Sequence, residues 1–198
     1  MALFRSRSKP RGYLAGAMAA EGQVSQAECE KLMELARETP SGTVIVEIGS
    51  YRGRSTIALA LGARLGAHNR VYAIDPHVEF RGVLGGEFGP ADQAALYANL
   101  AHAGVGELVA VVSLHSLAAV RSWSERNIGL LWIDGDHRYE AVRADYAAWS
   151  PFVTSGGTIA LDDVDAPGVQ QLVREREAAG EITVLGQVGK LVWSRITA

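Results

Sequence analysis

The sequence predicts an α/β fold, a doubly wound and mostly parallel sheet closed by a C-terminal antiparallel hairpin. Three observations predict it. From Thr43 onward, short β-branched runs alternate with alanine- and leucine-rich helical stretches. Glycines and acids fall directly after the strand-like runs, and the last two runs are joined through Gly186 to Gly189 with no helix between them. Strands alternating with helices give a parallel sheet covered on both faces. Ligands then bind beyond the carboxyl ends of the strands, where the strand order reverses.

The first helix starts at Ser25-Gln26-Ala27-Glu28, a capping box in which the Ser25 hydroxyl and the Glu28 carboxylate each satisfy an unpaired amide. Cys29, Leu32, Met33 and Ala36 recur at helical spacing, and Thr39-Pro40 ends the helix because the residue before proline disfavours the helical region. The lone Cys29 is read as core filling; it excludes an intrachain disulfide framework and points to a reducing compartment. Thr43 to Ile48 is expected as a buried strand and Ser55 to Leu65 as a helix. Strand Val71 to Ile74 follows, then helix Ala91 to Ala101, strand Leu108 to Val112 and a helix around Leu117 to Glu125. Strand Ile128 to Ile133, helix Tyr139 to Trp149, strand Thr158 to Leu161 and helix Val169 to Ala178 complete the alternation. Glu181 to Leu185 and Leu191 to Ile196 form the closing hairpin.

With 198 residues, 48% hydrophobic and 21% charged, the chain is expected to hold one globular domain over residues 21–198 behind a basic, flexible head of residues 1–20. Net charge is −3, which speaks against a general nucleic-acid binder. Arg5, Arg7, Lys9 and Arg11 concentrate in the head, so the body carries 15 bases against 22 acids, a balance of −7. Such a head is read as a solvated terminus. No apolar run approaches the ~20 residues that span a bilayer. The short, glycine-interrupted stretch from Tyr13 to Ala20 is a poor signal peptide, so the expected location is the cytoplasm with no stable membrane insertion.

Val44 to Thr56 reads as a strand, a turn bracketed by Gly49 and Gly53, and a helix start whose free amides face a ligand. A dinucleotide site prefers G-x-G-x-x-G. Here the spacing is G-x-x-x-G behind an acid, Glu47, which repels a diphosphate and suits a ligand carrying an ammonium and a sulfonium. Asp75 follows the second strand, where such folds hold a ribose. Val46 to Leu61 resembles the first motif of class I S-adenosylmethionine-dependent methyltransferases, and Ala73-Ile74-Asp75-Pro76 their second. The resemblance implies that Glu47, Gly49, Ser50, Gly53 and Ser55 lie at the methionine end of S-adenosylmethionine and Asp75 at its ribose. His115 and Ser116 would lie at the adenine.

Asp134-Gly135-Asp136-His137 ends the fourth strand and Asp162-Asp163 the fifth. In a doubly wound sheet these ends are neighbours, so four carboxylates and an imidazole converge. Acids gathered without basic partners call for a cation, and oxygen ligands select a hard divalent ion such as Mg²⁺. As a bland alternative, these aspartates cap the following helices. Asp134 to Tyr139 followed by Asp162-Asp163 resembles the small macrocin or sugar O-methyltransferase type of this superfamily. That resemblance implies Asp134, Asp162 and Asp163 as metal ligands, His137 as general base, and a hydroxylated small molecule as substrate. His68, His77 and His102 are read as surface or packing residues. Arg52, Arg54, Trp132, Arg138 and a glycine-rich lid from His77 to Pro90 are candidates for shaping substrate choice. A homo-oligomer is left open. Two competing readings are a non-catalytic cofactor- or nucleotide-binding module and an NAD-dependent oxidoreductase, the latter opposed by the glycine spacing.

Overall fold

The computed structural model describes residues 13–82, 85–125 and 127–197. Its helices are α1 Ala15–Ala19, α2 Gln26–Glu38, α3 Arg54–Leu65, α4 Pro90–His102, α5 Ser116–Ala119, α6 Tyr139–Trp149 and α7 Pro167–Ala178. Its strands are β1 Val44–Ile48, β2 Val71–Ile74, β3 Phe80–Arg81, β4 Glu87–Phe88, β5 Val109–Val112, β6 Ile128–Ile133, β7 Val153–Leu161, β8 Ile182–Val188 and β9 Leu191–Ile196. Seven strands form one sheet in the order β5-β2-β1-β6-β7-β9-β8. The first five are parallel, and β9 runs antiparallel between β7 and β8. Chain order runs outward from β1 through β2 to β5 on one side and from β6 to β7 on the other. The switch point therefore lies between β1 and β6.

Because helices cover both faces, β1 and β6 are buried at every position, and their period-two alternation sorts side chains between two cores. Ile45, Leu130 and Trp132 face α1 to α4, while Val46, Ile48, Leu131 and Ile133 face α6 and α7. The same parity turns Glu47 toward α3. Trp132, considered above for substrate choice, is fully buried in the first core and does not reach the cleft. Cys29 is core filling as expected, and burial pushes its thiol up to about 12.

Several boundaries differ from those expected, each for a local reason. Leu14, Ala17 and Ala20, assigned above to the flexible head, are buried, and Gly16 of α1 packs on Ala103 and Ile57. The packed body thus begins upstream of residue 21; residues 1–12 lie outside the described residues. The helix expected through Glu125 stops after α5 and one 3-10 turn, Val120–Ser122. The chain extends at Trp123, whose ring packs 4.8 Å from Tyr72 and 5.0 Å from Trp149. β8 continues past Leu185 because Gly186 lies under the Trp193 ring, where the pairing register shifts. The lid segment contains a small hairpin pairing Phe80 with Phe88.

Candidate active site

The turn after β1 meets the end of β6 at the switch point. Asp134 N–H donates to Ile48 C=O at 2.8 Å, and Gly49 lies so close that a Cβ there would sit 2.1 Å from the Asp134 carbonyl oxygen. Gly49 also has φ +87° and Gly53 φ +92°, so both turn corners need glycine. Between them the Ser50 and Tyr51 N–H groups donate to Asp75 Oδ2 at 3.0 and 2.9 Å, and His77 N–H donates to Asp75 Oδ1 at 2.9 Å. Asp75 is therefore the anchor of the turn. Glu47 is fully buried behind it, accepting from the Thr56 hydroxyl at 2.5 Å, with its second oxygen unpartnered. Burial pushes its carboxyl up to about 7 against the pull of Ser55 and Thr56. Ser50 and Ser55 are buried beside it, and the Ser50 hydroxyl has no partner.

One cleft of about 590 Å³ joins this turn to the ends of β6 and β7. His115 and Ser116 line its far side, where the Ser116 hydroxyl donates to buried Asp145. At the near side, the parallel register Ile133↔Leu161 sets Asp134 beside Asp162, and Asp162 N–H donates to Ile133 C=O at 3.0 Å. Burial, and next the Asp162 charge, raise the Asp134 carboxyl well above the usual range. Burial raises Asp162 as well, opposed by Lys190. His137 Nε2 lies 3.7 Å from Asp134 Oδ1 and Nδ1 lies 3.3 Å from Asp163 Oδ2. Asp136 is drawn aside by Arg138.

The acids are not without a base. Lys190, from the β8–β9 turn, places Nζ 2.8 Å from Asp162 Oδ2 and 2.7 Å from Asp163 Oδ1. Asp134, His137 and Asp162 nonetheless each offer one ligand atom within 4.8 Å of the others. His137 Nε2 and Asp162 Oδ1 are buried and have no hydrogen-bond partner: the carboxylate oxygen is a donor that a divalent ion would satisfy, and the imidazole nitrogen keeps a lone pair that can accept a proton. Asp163 is instead engaged by Lys190 and His137, and it adopts φ +50°. Tyr51 and His77, at φ +45° and +49°, line the same cleft. Three of the four left-handed non-glycine residues among those described thus border it, a concentration typical of functional sites.

The family model described as a methyltransferase domain, of the methyltransferase 24 type, matches residues 46–164, from the glycine turn through the aspartate pair. The chain belongs to this methyltransferase family. Its fold is similar to that of cofactor-bound Rv0187 from MTB, with a TM-score of 0.72 and 23% identity, covering 93% of this chain and 88% of that one. It is similar also to the O-methyltransferase TomG from Streptomyces achromogenes, involved in tomaymycin synthesis and solved with SAM (TM-score 0.68, 20% identity, 96% and 92% covered). The O-methyltransferase from Bacillus cereus solved with SAH gives a TM-score of 0.69 at 20% identity, with 97% and 94% covered. At these identities the likeness is one of fold.

Within this methyltransferase, His77, Asp92 and Lys190 have roles that the sequence reading missed, and Arg54, a candidate there for substrate choice, is engaged by backbone carbonyls. His77, read above as a surface or packing residue, is buried, and its Nε2 lies 3.1 Å from the Tyr51 carbonyl oxygen. Asp92 caps α4 through Gly89 N–H and holds Arg52 Nε at 2.7 Å. Arg54 donates to the Ala20 and Val24 carbonyls and so ties α3 to the N-terminal segment. Lys190 had no signal of its own in the sequence: the β7–β9 register, which pairs Leu161 with Val192 and so sets residue 190 opposite residue 163, belongs to the tertiary structure. No helix among the described residues is long and apolar enough to cross a membrane.

Proposed function

We propose that this methyltransferase moves the methyl group of S-adenosylmethionine onto a hydroxyl oxygen of a small molecule, with a divalent cation such as Mg²⁺ at the acidic end of its cleft. The observation that carries this reading is the junction of Gly49 with Asp134, which makes the glycine turn and the acid cluster two ends of one cavity. Glu47, Gly49, Ser50, Gly53 and Ser55 serve the methionine end, and His115 and Ser116 the adenine end. Asp75 Oδ1 accepts only one amide, which leaves acceptor capacity for a ribose hydroxyl while Oδ2 keeps the turn in shape.

His137 is the proposed base. Asp163 faces Nδ1 and orients the ring, which leaves the unpartnered Nε2 to take the hydroxyl proton. The hydroxyl oxygen bonds to the methyl carbon as the carbon–sulfur bond breaks, the sulfonium becomes a neutral thioether, and the proton passes to His137. Asp134 and Asp162, with Asp163 as the further acid, are the proposed holders of the cation, which when bound polarises the hydroxyl and lowers its pKa. An imidazole base and an aspartate pair suit alcohol or sugar-like hydroxyls, and a reduced Cys29 suits the cytoplasm.

The test is transfer of a labelled methyl group to a panel of hydroxylated small molecules, with and without chelator. Transfer that stops in chelator and returns with Mg²⁺ supports the whole reading. Full turnover in exhaustive chelator overturns the cation, and transfer only to nitrogen or carbon acceptors overturns the hydroxyl.

A further inference from the structure

The β8–β9 turn lies outside the matched residues 46–164, yet it delivers a cation into the acid cluster. Its delivery is built in from two sides. Lys190 N–H donates to Glu28 Oε1 at 2.8 Å, and Lys190 C=O accepts from Val164 N–H at 2.9 Å. Glu28 is itself buried and fixed, since its other oxygen accepts from Ser25 N–H at 2.6 Å in the capping box of α2. A residue whose backbone is held at both its N–H and its C=O presents its side chain from a defined origin. The ammonium then bridges Asp162 Oδ2 and Asp163 Oδ1, while Asp162 Oδ1 stays buried and unpartnered.

We propose that Lys190 is a tethered counter-cation that competes with the divalent ion for the Asp162–Asp163 pair and thereby sets how weakly this chain binds metal. The inference rests on the proposed cation site. An ammonium and a metal ion sharing Asp162 repel one another, and an oxygen that accepts from the ammonium is a poorer metal donor. Lys190 also removes Asp163 from the set of free donors, leaving Asp134 and Asp162 as the carboxylates open to the ion beside His137. The fixed charge keeps the aspartate pair from repelling itself when no ion is present, so Lys190 is a positioning residue rather than a catalytic one.

The experiment is a titration of the full chain with Mn²⁺ alone at constant pH, without S-adenosylmethionine, reading free Mn²⁺ by electron paramagnetic resonance. Lys190→Met is expected to bind Mn²⁺ at least tenfold tighter than the parent, and Lys190→Arg, which keeps the charge, within about threefold of it. Removing Lys190 takes the counter-charge from the Asp162–Asp163 pair, so the same comparison is made in an Asp163→Asn background, where Lys190→Met/Asp163→Asn has the parent's net charge. A tenfold gain over Asp163→Asn alone carries the proposal even where the single variant fails to fold. Equal or weaker binding on loss of Lys190, with a parent that binds Mn²⁺, overturns the tethered cation and leaves the metal site standing. Binding only once Lys190 is removed supports the tethered cation and overturns metal use by the natural chain. No binding in any of these proteins overturns both.

Discussion

Replacing Glu47 with glutamine isolates the most strongly buried acid of the cofactor turn. The glutamine is nearly isosteric, and its carbonyl oxygen can still accept from the Thr56 hydroxyl. Burial raises the Glu47 carboxyl from an ordinary 4.5 to about 7. In the unfolded chain this acid ionises near 4.5, whereas the folded protein keeps its proton until about 7. Folding thus binds a proton in that window, and the group's contribution to stability falls as pH rises through it. At about 1.4 kcal/mol per pH unit, the loss reaches roughly 3 kcal/mol above pH 7. Glu47→Gln removes the loss. Urea unfolding of both proteins at half-unit steps from pH 4.5 to 8 should therefore give equal stabilities at the acid end and a variant more stable by roughly 3 kcal/mol at the alkaline end. Parallel curves across that range would refute the buried, proton-holding Glu47 inferred here. The same group couples to the ligand: a sulfonium and an ammonium favour the ionised carboxylate, so S-adenosylmethionine should bind more tightly as pH rises from 6 to 8 in the parent, and without that slope in the variant.

Asp75→Asn leaves only one acceptor oxygen for three amides, so it should cost about 1.5–3 kcal/mol of stability and weaken S-adenosylmethionine in calorimetry; unchanged values in both would remove Asp75 from the turn and the site alike. Gly49→Ala forces a left-handed alanine, costing about 1–2 kcal/mol, into a space already taken by the Asp134 carbonyl, and overpacking of that kind adds about 1–3 kcal/mol. A variant with the parent's melting temperature would show that the β1 and β6 ends are not in contact. His137→Ala should lower turnover by roughly 10²–10⁴-fold with cofactor affinity intact. Near-parental turnover in that variant would remove His137 as the base.

How far the sequence carried the reading depends on the range of the interaction. Val71–Ile74, Ile128–Ile133, Tyr139–Trp149 and Leu191–Ile196 have the limits expected from the sequence, and the other parallel strands differ only at their starts. Turn glycines, a capping box and β-branched runs act over a few residues, so each segment states its own conformation. The parallel sheet followed from the alternation of those segments. With it came the convergence of the β1, β6 and β7 ends, because ligand sites in such sheets lie beyond the carboxyl edge. That was enough to assemble Glu47, Gly49, Asp75, Asp134, His137 and Asp162 in one place from composition and spacing.

Tertiary structure decided which groups satisfy one another. Nothing near Asp75 in the chain says that its carboxylate would be held by amides from residues 50 and 51. A short alanine-rich stretch such as Ala15–Ala19 is too weakly amphipathic to declare itself a helix, and only contact with α3 and α4 buries it. His77 looks like any loop histidine until the left-handed backbone turns it onto Tyr51. Lys190 reaches Asp162 from 28 residues away, through the antiparallel register of β9 on β7 and the hold of Glu28 at the far end of the chain. Local sequence specifies which face a side chain occupies; its partner is chosen by the register and packing of distant segments, and charge compensation in this cleft is a property of that packing.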